Sequence, residues 1–241
     1  MRISIPLAVT LLLTLSIGRA RGDAAADLKK ASDEGHPVFL VVTEGDAKGT
    51  DLGMRVSAEA AAIVGDAVVV RLDRGDTAAA PVVKRYRLES VPVPLILVIA
   101  ANGVAASGTK PSAVTASKLA RMVPSPSKAA YLKALEERKA VFLVFAGEKT
   151  TGRLGAIEAC NAAVKAMADK AATVTVDLAD DREAAFTSEL NVDRATTVAV
   201  TIVVNSRAQR TATFDTVPDA KALVEAAAKV VEECCPGGKC K

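Results

Sequence analysis

Three cysteines close to the C-terminus are the residues of this chain best suited to chemistry. Cys234, Cys235 and Cys240 lie in the run CCPGGKC, so three thiols fall within seven residues. The Pro-Gly-Gly segment favours a turn that brings Cys240 back to either of the other two cysteines. Three outcomes are consistent with this pattern: a small disulfide loop in an oxidising compartment, a thiolate site for Cu(I) or Zn(II), or a working redox pair. The spacing does not decide among them.

The other candidates for catalysis are predicted to be structural. Cys160 lies on an apolar helical stripe with Leu154 and Val164, which favours a thiol that is buried against a core. His36 is the only histidine, and it precedes a proline in a predicted turn. We therefore assign no catalytic residue, lean against an enzyme, and predict no cofactor apart from Cu(I) or Zn(II) at the cysteine-rich tail, residues 234–241.

Charge and composition argue against nucleic acid as a partner. The 241 residues carry a formal net charge of +3. Removal of Arg2 and Arg19 with an N-terminal signal leaves 29 basic and 28 acidic residues, a net charge of +1. The chain has no Trp, two Tyr and five Phe. It therefore lacks both the strong positive charge and the aromatic platforms that nucleic-acid-binding proteins use.

The N-terminus resembles a secretory signal peptide over residues 1–20. Arg2 precedes an apolar run over residues 3–17, which Gly18-Arg19-Ala20 follows with small residues suited to cleavage. Fifteen apolar residues are too few to cross a bilayer comfortably. The sequence therefore predicts an exported protein, periplasmic or extracellular, with no membrane span in the mature chain. An uncleaved anchor is the alternative at this terminus.

The secondary-structure elements that would position the candidate site residues occur twice along the chain. Residues 30–42 (KASDEGHPVFLVV) return as residues 133–145 (KALEERKAVFLVF), a spacing of 103 residues. Residues 70–73 return at 174–177 and residues 86–97 return at 190–201, a spacing of 104. Solenoid repeats have periods of roughly 20 to 50 residues. The longer spacing predicts two similar domains in tandem.

Each repeat contains the same succession of predicted elements. In the first repeat we expect helices over residues 23–34, 55–64, 80–88 and 112–122, and strands over residues 38–42, 67–73, 95–100 and 104–107. The second repeat has strands over residues 141–145, 174–178, 198–204 and 211–214, a last helix over residues 218–233, and helix start signals at Ser125, Asp180 and Thr216. The order α-β-α-β-α-β-β-α predicts an α/β fold in which a central mixed sheet is flanked by helices. The predicted domains cover residues 21–122 and 128–233, with a proline-containing linker over residues 123–127.

This succession resembles the thioredoxin-like superfamily. The resemblance is carried by the element order, by the segment YRLESVPV over residues 86–93 that enters the third strand, and by the turn at Asn102-Gly103. In that family the proline at the position of Pro92 is in the cis form and helps to hold an extended peptide. The resemblance implies two tandem thioredoxin-like domains.

The sequence departs from the family where the redox chemistry takes place. Enzymes of the family have a Cys-x-x-Cys motif after the first strand, because the following helix lowers the pKa of the leading thiol. Neither residues 43–51 nor residues 146–152 contain a cysteine, and Thr196 occupies the expected proline position of the second repeat. Neither domain is therefore predicted to exchange disulfides at the usual position.

Two functions from different classes remain open. The first is a redox-inactive scaffold that binds a protein or peptide partner, through a surface formed by Val91, Pro92 and Val93 opposite Thr43 and Glu44. The second is a thiol-disulfide oxidoreductase or soft-metal protein that uses the cysteines of the tail. The fold alone cannot distinguish them.

Overall fold

The computed structural model describes residues 23–45 and 47–231. Two mixed sheets of four strands each occupy successive halves of this range. The strands of the first sheet are β1 (Val38–Thr43), β2 (Val68–Asp73), β3 (Leu95–Ile99) and β4 (Ala105–Thr109). Those of the second sheet are β5 (Ala140–Phe145), β6 (Ala171–Val176), β7 (Val200–Val204) and β8 (Arg210–Phe214).

Four α-helices accompany each sheet. In the first domain they are α1 (Ala24–Asp33), α2 (Thr50–Val64), α3 (Ala80–Arg85) and α4 (Ala116–Ala120). In the second domain they are α5 (Pro126–Glu136), α6 (Arg153–Ala166), α7 (Ala184–Glu189) and α8 (Ala220–Ala228). The order α-β-α-β-α-β-β-α that the sequence predicts is confirmed in both halves.

The two sheets have the same strand order. The orders are β2-β1-β3-β4 and β6-β5-β7-β8. The first and second strands of each domain pair in parallel, whereas the remaining neighbours pair antiparallel. The crossover from the first to the second strand is made by α2 in one domain and by α6 in the other. The N-terminus of that helix consequently lies at the carboxyl end of the central strand.

Side-chain caps mark the starts of four of the eight α-helices described. The Asp23 carboxylate accepts a hydrogen bond from the Ala25 N–H at 3.0 Å and caps α1. Ser125 caps α5 in the same way, with a proline at the first helical position. The start predicted at Thr216 is wrong, because Asp219 caps α8 by accepting from the Ala222 N–H at 2.8 Å.

Other predicted boundaries also change in the structure. The helix expected over residues 55–64 begins at Thr50, because Gly49 has a left-handed backbone (φ 98°) that turns the chain directly into α2. The helix expected over residues 112–122 is divided into a 3₁₀ turn, Pro111–Ala113, and α4. The predicted linker overlaps α5, because this helix begins at Pro126. Ser125 and Ser127 also bind the buried carboxylate of Glu183, at 2.5 and 3.1 Å.

Alternating residues of the central strands face the two helical layers. In β1, Val38, Leu40 and Val42 pack with α1 and α3. Phe39 and Val41 pack on the opposite side with α2 and α4. In the second domain, alternate side chains of β5 likewise face opposite sides. One set packs with α6 and α8, and the other packs with α5 and α7. All six residues of each of these strands are buried, as expected for a central strand covered on both faces.

The domains meet through the turn between β3 and β4. The Asn102 side chain donates to the Ala129 carbonyl of α5 at 2.8 Å. A small apolar cluster of Ala100, Val104 and Ala129 surrounds this bond, with Leu132 packed against it. Within the described part of the chain, no helix combines the length and the apolar character needed to cross a membrane.

Candidate functional site

Two loops meet at the carboxyl end of β1 and form what we call the mouth of the first domain. One loop, residues 43–49, leads from β1 into α2. The other, residues 88–94, leads into β3. Residues Val91, Val93 and Leu95 are only partly buried and pack against the core cluster beside α1 and α3, while Pro92 is exposed. An apolar surface therefore borders the N-terminus of α2.

Thr43 fixes the first loop from inside the protein. Its side chain is fully buried, and its hydroxyl lies 2.8 Å from the hydroxyl of Thr50. Thr50 in turn donates to the Ala47 carbonyl at 2.7 Å. The sequence predicts Thr43 as a contact residue, but the structure places it beneath the surface, where its polar group stabilises the loop. Of the two residues predicted on this loop, only Glu44 is exposed.

Arg74 connects the two loops of the mouth. Its guanidinium donates to the carbonyls of Val91 at 2.8 Å and of Leu88 and Glu89 at 3.3 Å each. The same group forms an ion pair with the carboxylate of Glu44. Arg74 therefore brings the predicted residues Glu44 and Val91 together. Sequence reasoning missed it, although its position directly after β2, at the same edge as the end of β1, is a signal that could have identified it.

A proline next to the N-terminus of α2 completes the mouth. The cis peptide bond is Val93–Pro94, so the prediction of a cis proline at Pro92 is wrong by two residues. Pro94 directly precedes β3, and its Cγ lies 3.4 Å from where a Cβ at Gly49 would be. The strand order of each sheet and its parallel crossover, through α2 in one domain and α6 in the other, identify the architecture. Each domain has the thioredoxin-like fold.

The place of the redox motif in this fold contains no thiol in the first domain. The first turn of α2 and the residue before it read Gly49, Thr50, Asp51 and Leu52. In the second domain the corresponding residues are Gly152, Arg153, Leu154 and Gly155. Nucleophilic disulfide exchange requires a thiolate at this point. The described residues of both thioredoxin-like domains lack one there.

Cys160 is a core residue of the second domain. It lies in the middle of α6 with no exposed surface and packs among apolar side chains of the sheet and α8, which confirms the predicted structural role. Burial raises the pKa of its thiol to about 12. At neutral pH this thiol is protonated and unreactive.

The mouth of the second domain is closed by its own backbone. Thr151 donates its N–H to the Thr197 carbonyl and accepts from the Ala199 N–H, each at 2.9 Å. Val198 thereby forms a parallel bridge with Thr151. Because the registers pair Val42 with Leu95 and Phe145 with Val200, Ala199 corresponds to Pro94. The prediction of Thr196 at the proline position is wrong, because the loop before β7 is one residue longer than the loop before β3.

The predicted thiol or metal residues Cys234, Cys235 and Cys240 lie outside the described residues. Within residues 23–45 and 47–231, no group of three or more histidine, cysteine, aspartate and glutamate side chains is placed to hold a metal ion. The Cu(I) or Zn(II) site at the tail stays a prediction.

Comparisons with known proteins give distant similarities of fold. No protein-family model matches the sequence, and no curated protein matches it. The first two thioredoxin domains of Saccharomyces cerevisiae Eps1p are similar at 8% identity, with 86% of this chain and 96% of that chain covered and a TM-score of 0.31. Zinc-bound human ERp44 is similar at 11% identity over 73% of this chain and 50% of that chain, with a TM-score of 0.34.

A bacterial protein shows the same level of similarity. It is the N-terminal domain of alkylhydroperoxide reductase AhpF from Enterococcus faecalis, at 12% identity over 85% of this chain and 99% of that chain, with a TM-score of 0.25. Similarities this weak say no more about the fold than the strand order of each sheet already does.

Proposed function

We propose that the protein is an exported, redox-inactive tandem thioredoxin-like protein that binds an extended polypeptide at the mouth of the first domain. The observation that carries this proposal is the combination of an open apolar mouth with a helix N-terminus that has no thiol. Gly49 and Thr50 occupy the place at which a redox enzyme of this fold needs cysteine. The site can hold a chain but cannot attack a disulfide.

The backbone of the second loop supports binding in an extended form. Within the described residues, neither the N–H nor the C=O of Val93 has a backbone hydrogen bond. An incoming extended segment can use these groups in the manner of an added strand. Apolar side chains of that segment would pack on Val91, Val93 and Leu95, which are partly exposed.

The second domain supplies a contrast that favours the first domain as the binding site. There the residue corresponding to Val93 is Val198, whose N–H already donates to the Thr196 hydroxyl at 3.3 Å and whose C=O accepts from that hydroxyl at 3.0 Å. A peptide would have to displace these bonds before it could add to the same edge. We therefore assign peptide binding to the first domain and a supporting role to the second.

Arg74 and Glu44 give the mouth a defined shape. The carbonyl of Val91 is held by Arg74, so the loop is ordered before a partner arrives. Preorganisation of this kind improves affinity because less conformational entropy is lost on binding. Glu44 forms an ion pair with Arg74 and adds a negative charge to the mouth, so the mouth favours apolar rather than acidic segments.

A pair of corresponding substitutions tests the proposal. Val93→Asp places a charge in the proposed contact, whereas Val198→Asp makes the same change at the matching position of the closed mouth. We expect Val93→Asp to weaken capture of a reduced, carboxymethylated polypeptide at least about tenfold, which is about 1.4 kcal/mol, and Val198→Asp to leave capture unchanged. Circular dichroism of both variants checks the fold. Equal capture by a folded Val93→Asp variant would contradict the proposal.

The alternative function rests on the tail and is separable by mass spectrometry. Thiol counting on the exported protein, with and without Cu(I) or Zn(II), reports whether Cys234, Cys235 and Cys240 are oxidised, metal-bound or free. A fully oxidised tail that resists mild reductant would remove both the redox and the metal function. A reducible pair or a stoichiometric metal would support the thiol or metal protein instead. Signal cleavage is read from the N-terminal mass of the same sample.

A further inference from the structure

A cleft between the two domains collects four arginines. Arg85 and Arg87 come from the end of α3 in the first domain, Arg138 follows α5, and Arg207 lies in the turn between β7 and β8. The cleft has a volume of about 520 Å³ and includes one carboxylate, that of Glu136. It is distinct from the mouth and has a formal charge of about +3 from these five side chains.

The backbone at two of these arginines is unusual. Arg87 and Arg138 have φ angles of 55° and 56°, in the left-handed region that side-chain-bearing residues rarely adopt. Each follows the end of a helix, where glycine or asparagine is the favoured residue. The matching helix end of the other domain follows that preference: Asn191 (φ 55°) corresponds to Arg87, and Gly35 (φ 74°) corresponds to Arg138.

The same helix ends therefore carry favourable residues outside the cleft and arginines inside it. The hydrogen bonds of the two versions match, since Lys139 N–H donates to Ala134 and His36 N–H donates to Ala31, at 2.9 and 2.8 Å. The fold consequently has no need for arginine at either position. Residues held in disfavoured backbone regions concentrate at functional sites. What arginine adds at these two positions, compared with glycine or asparagine, is a positively charged guanidinium group.

The charges in the cleft are poorly compensated by the protein itself. Among the described residues, none of the four arginines forms an ion pair within 4.0 Å. Glu136 is engaged with Lys133 at 2.6 Å. Arg85 is held in place by the Gly103 carbonyl at 3.1 Å and by the ring of Tyr86, 5.1 Å from the guanidinium carbon.

We propose that this cleft binds a small soluble anion that carries two or more phosphate or sulfate groups. Planar guanidinium groups match such oxyanions through paired hydrogen bonds, and the exposed Ser206 hydroxyl at the rim adds a further donor. The ligand contacts both domains, so binding also couples their positions. The proposal does not depend on peptide binding at the mouth.

The experiment exchanges the arginines for the residues of the matching positions. The double variant Arg87→Asn with Arg138→Gly removes two charges and relaxes the backbone, so its ligand-free melting temperature should not fall. Arg55→Gln with Arg121→Gln removes the same charge from arginines that do not line the cleft. Pyrophosphate and a disulfated disaccharide are titrated by calorimetry in about 0.15 M NaCl, where nonspecific attraction is screened.

We expect wild type and the control variant to bind at least one probe equally, and the cleft variant to bind it at least about tenfold more weakly. Which probe binds identifies phosphate or sulfate as the recognised group. Absence of binding to either probe up to about 1 mM would overturn the proposal. Equal weakening in both double variants would do the same, since the effect would then come from net charge. Polypeptide capture should be unchanged in the cleft variant.

Discussion

Arg74 is the side chain on which the geometry of the mouth depends, and its replacement by methionine has a calculable cost. The side chain is only 18% exposed. It donates a short bond to the Val91 carbonyl at 2.8 Å and two longer bonds of 3.3 Å to Leu88 and Glu89. A hydrogen bond from a charged donor contributes about 1.5 to 3 kcal/mol, and the exposed pair with Glu44 adds at most about 1 kcal/mol. We expect Arg74→Met to lower the free energy of unfolding by about 2 to 4 kcal/mol.

The assay is urea unfolding followed by circular dichroism, with two companion variants. Arg182→Met removes an arginine that is 73% exposed and pairs with Asp180 at 2.7 Å, so it should lower the free energy of unfolding less than Arg74→Met does. Arg74→Lys keeps the ion pair with Glu44 but loses the planar guanidinium that donates to several carbonyls. It should therefore recover at most about 1 kcal/mol of the free energy of unfolding that Arg74→Met loses. Polypeptide capture should decrease in both Arg74 variants, because the second loop is no longer held. If Arg74→Met costs no more than Arg182→Met, Arg74 does not organise the mouth.

Two further predictions concern matching positions in the crossover helices. Ser57 is buried in α2 with no hydrogen-bond partner for its hydroxyl among the described residues, and Cys160 stands at the equivalent position of α6. Ser57→Cys should raise the free energy of unfolding by about 1 kcal/mol, and a decrease in urea unfolding experiments would reveal an unrecognised partner. In a chain whose tail cysteines are serines, native Cys160 should react with iodoacetamide at pH 8 about a thousandfold more slowly than a thiol of ordinary pKa, because its pKa is raised from 9.0 to about 12. Alkylation at the rate seen in urea would show that the thiol is accessible.

The fold was predictable because the sequence repeats its apolar pattern. The runs that become β1 and β5 are continuous apolar segments, which is typical of strands covered on both faces. Their spacing of 103 residues indicates two domains. Helix boundaries were less predictable where a backbone conformation decides them. The left-handed Gly49, for example, starts α2 five residues before the predicted boundary.

The site was less predictable because it depends on contacts between distant segments. Glu44 and the apolar loop at Val91 are correctly placed at one edge of the sheet by the element order. The burial of Thr43 is set by its pairing with Thr50, and the role of Arg74 by carbonyls 14 to 17 residues away. The sequence comparison aligned this region at a constant spacing of 104 residues, and so it missed the extra residue in the loop before β7. No local pattern carries this information.

The most direct test of a redox-inactive first domain is a turnover measurement. The full chain with Cys234→Ser, Cys235→Ser and Cys240→Ser is incubated with insulin and dithiothreitol, and disulfide reduction is followed over time. The structure predicts that insulin is reduced no faster with the protein than with dithiothreitol alone. Cys160 is then the one remaining sulfhydryl in the sequence, and it is buried. A rate that rises with protein concentration would contradict the account, because it would require a nucleophile at a mouth where the described residues provide none.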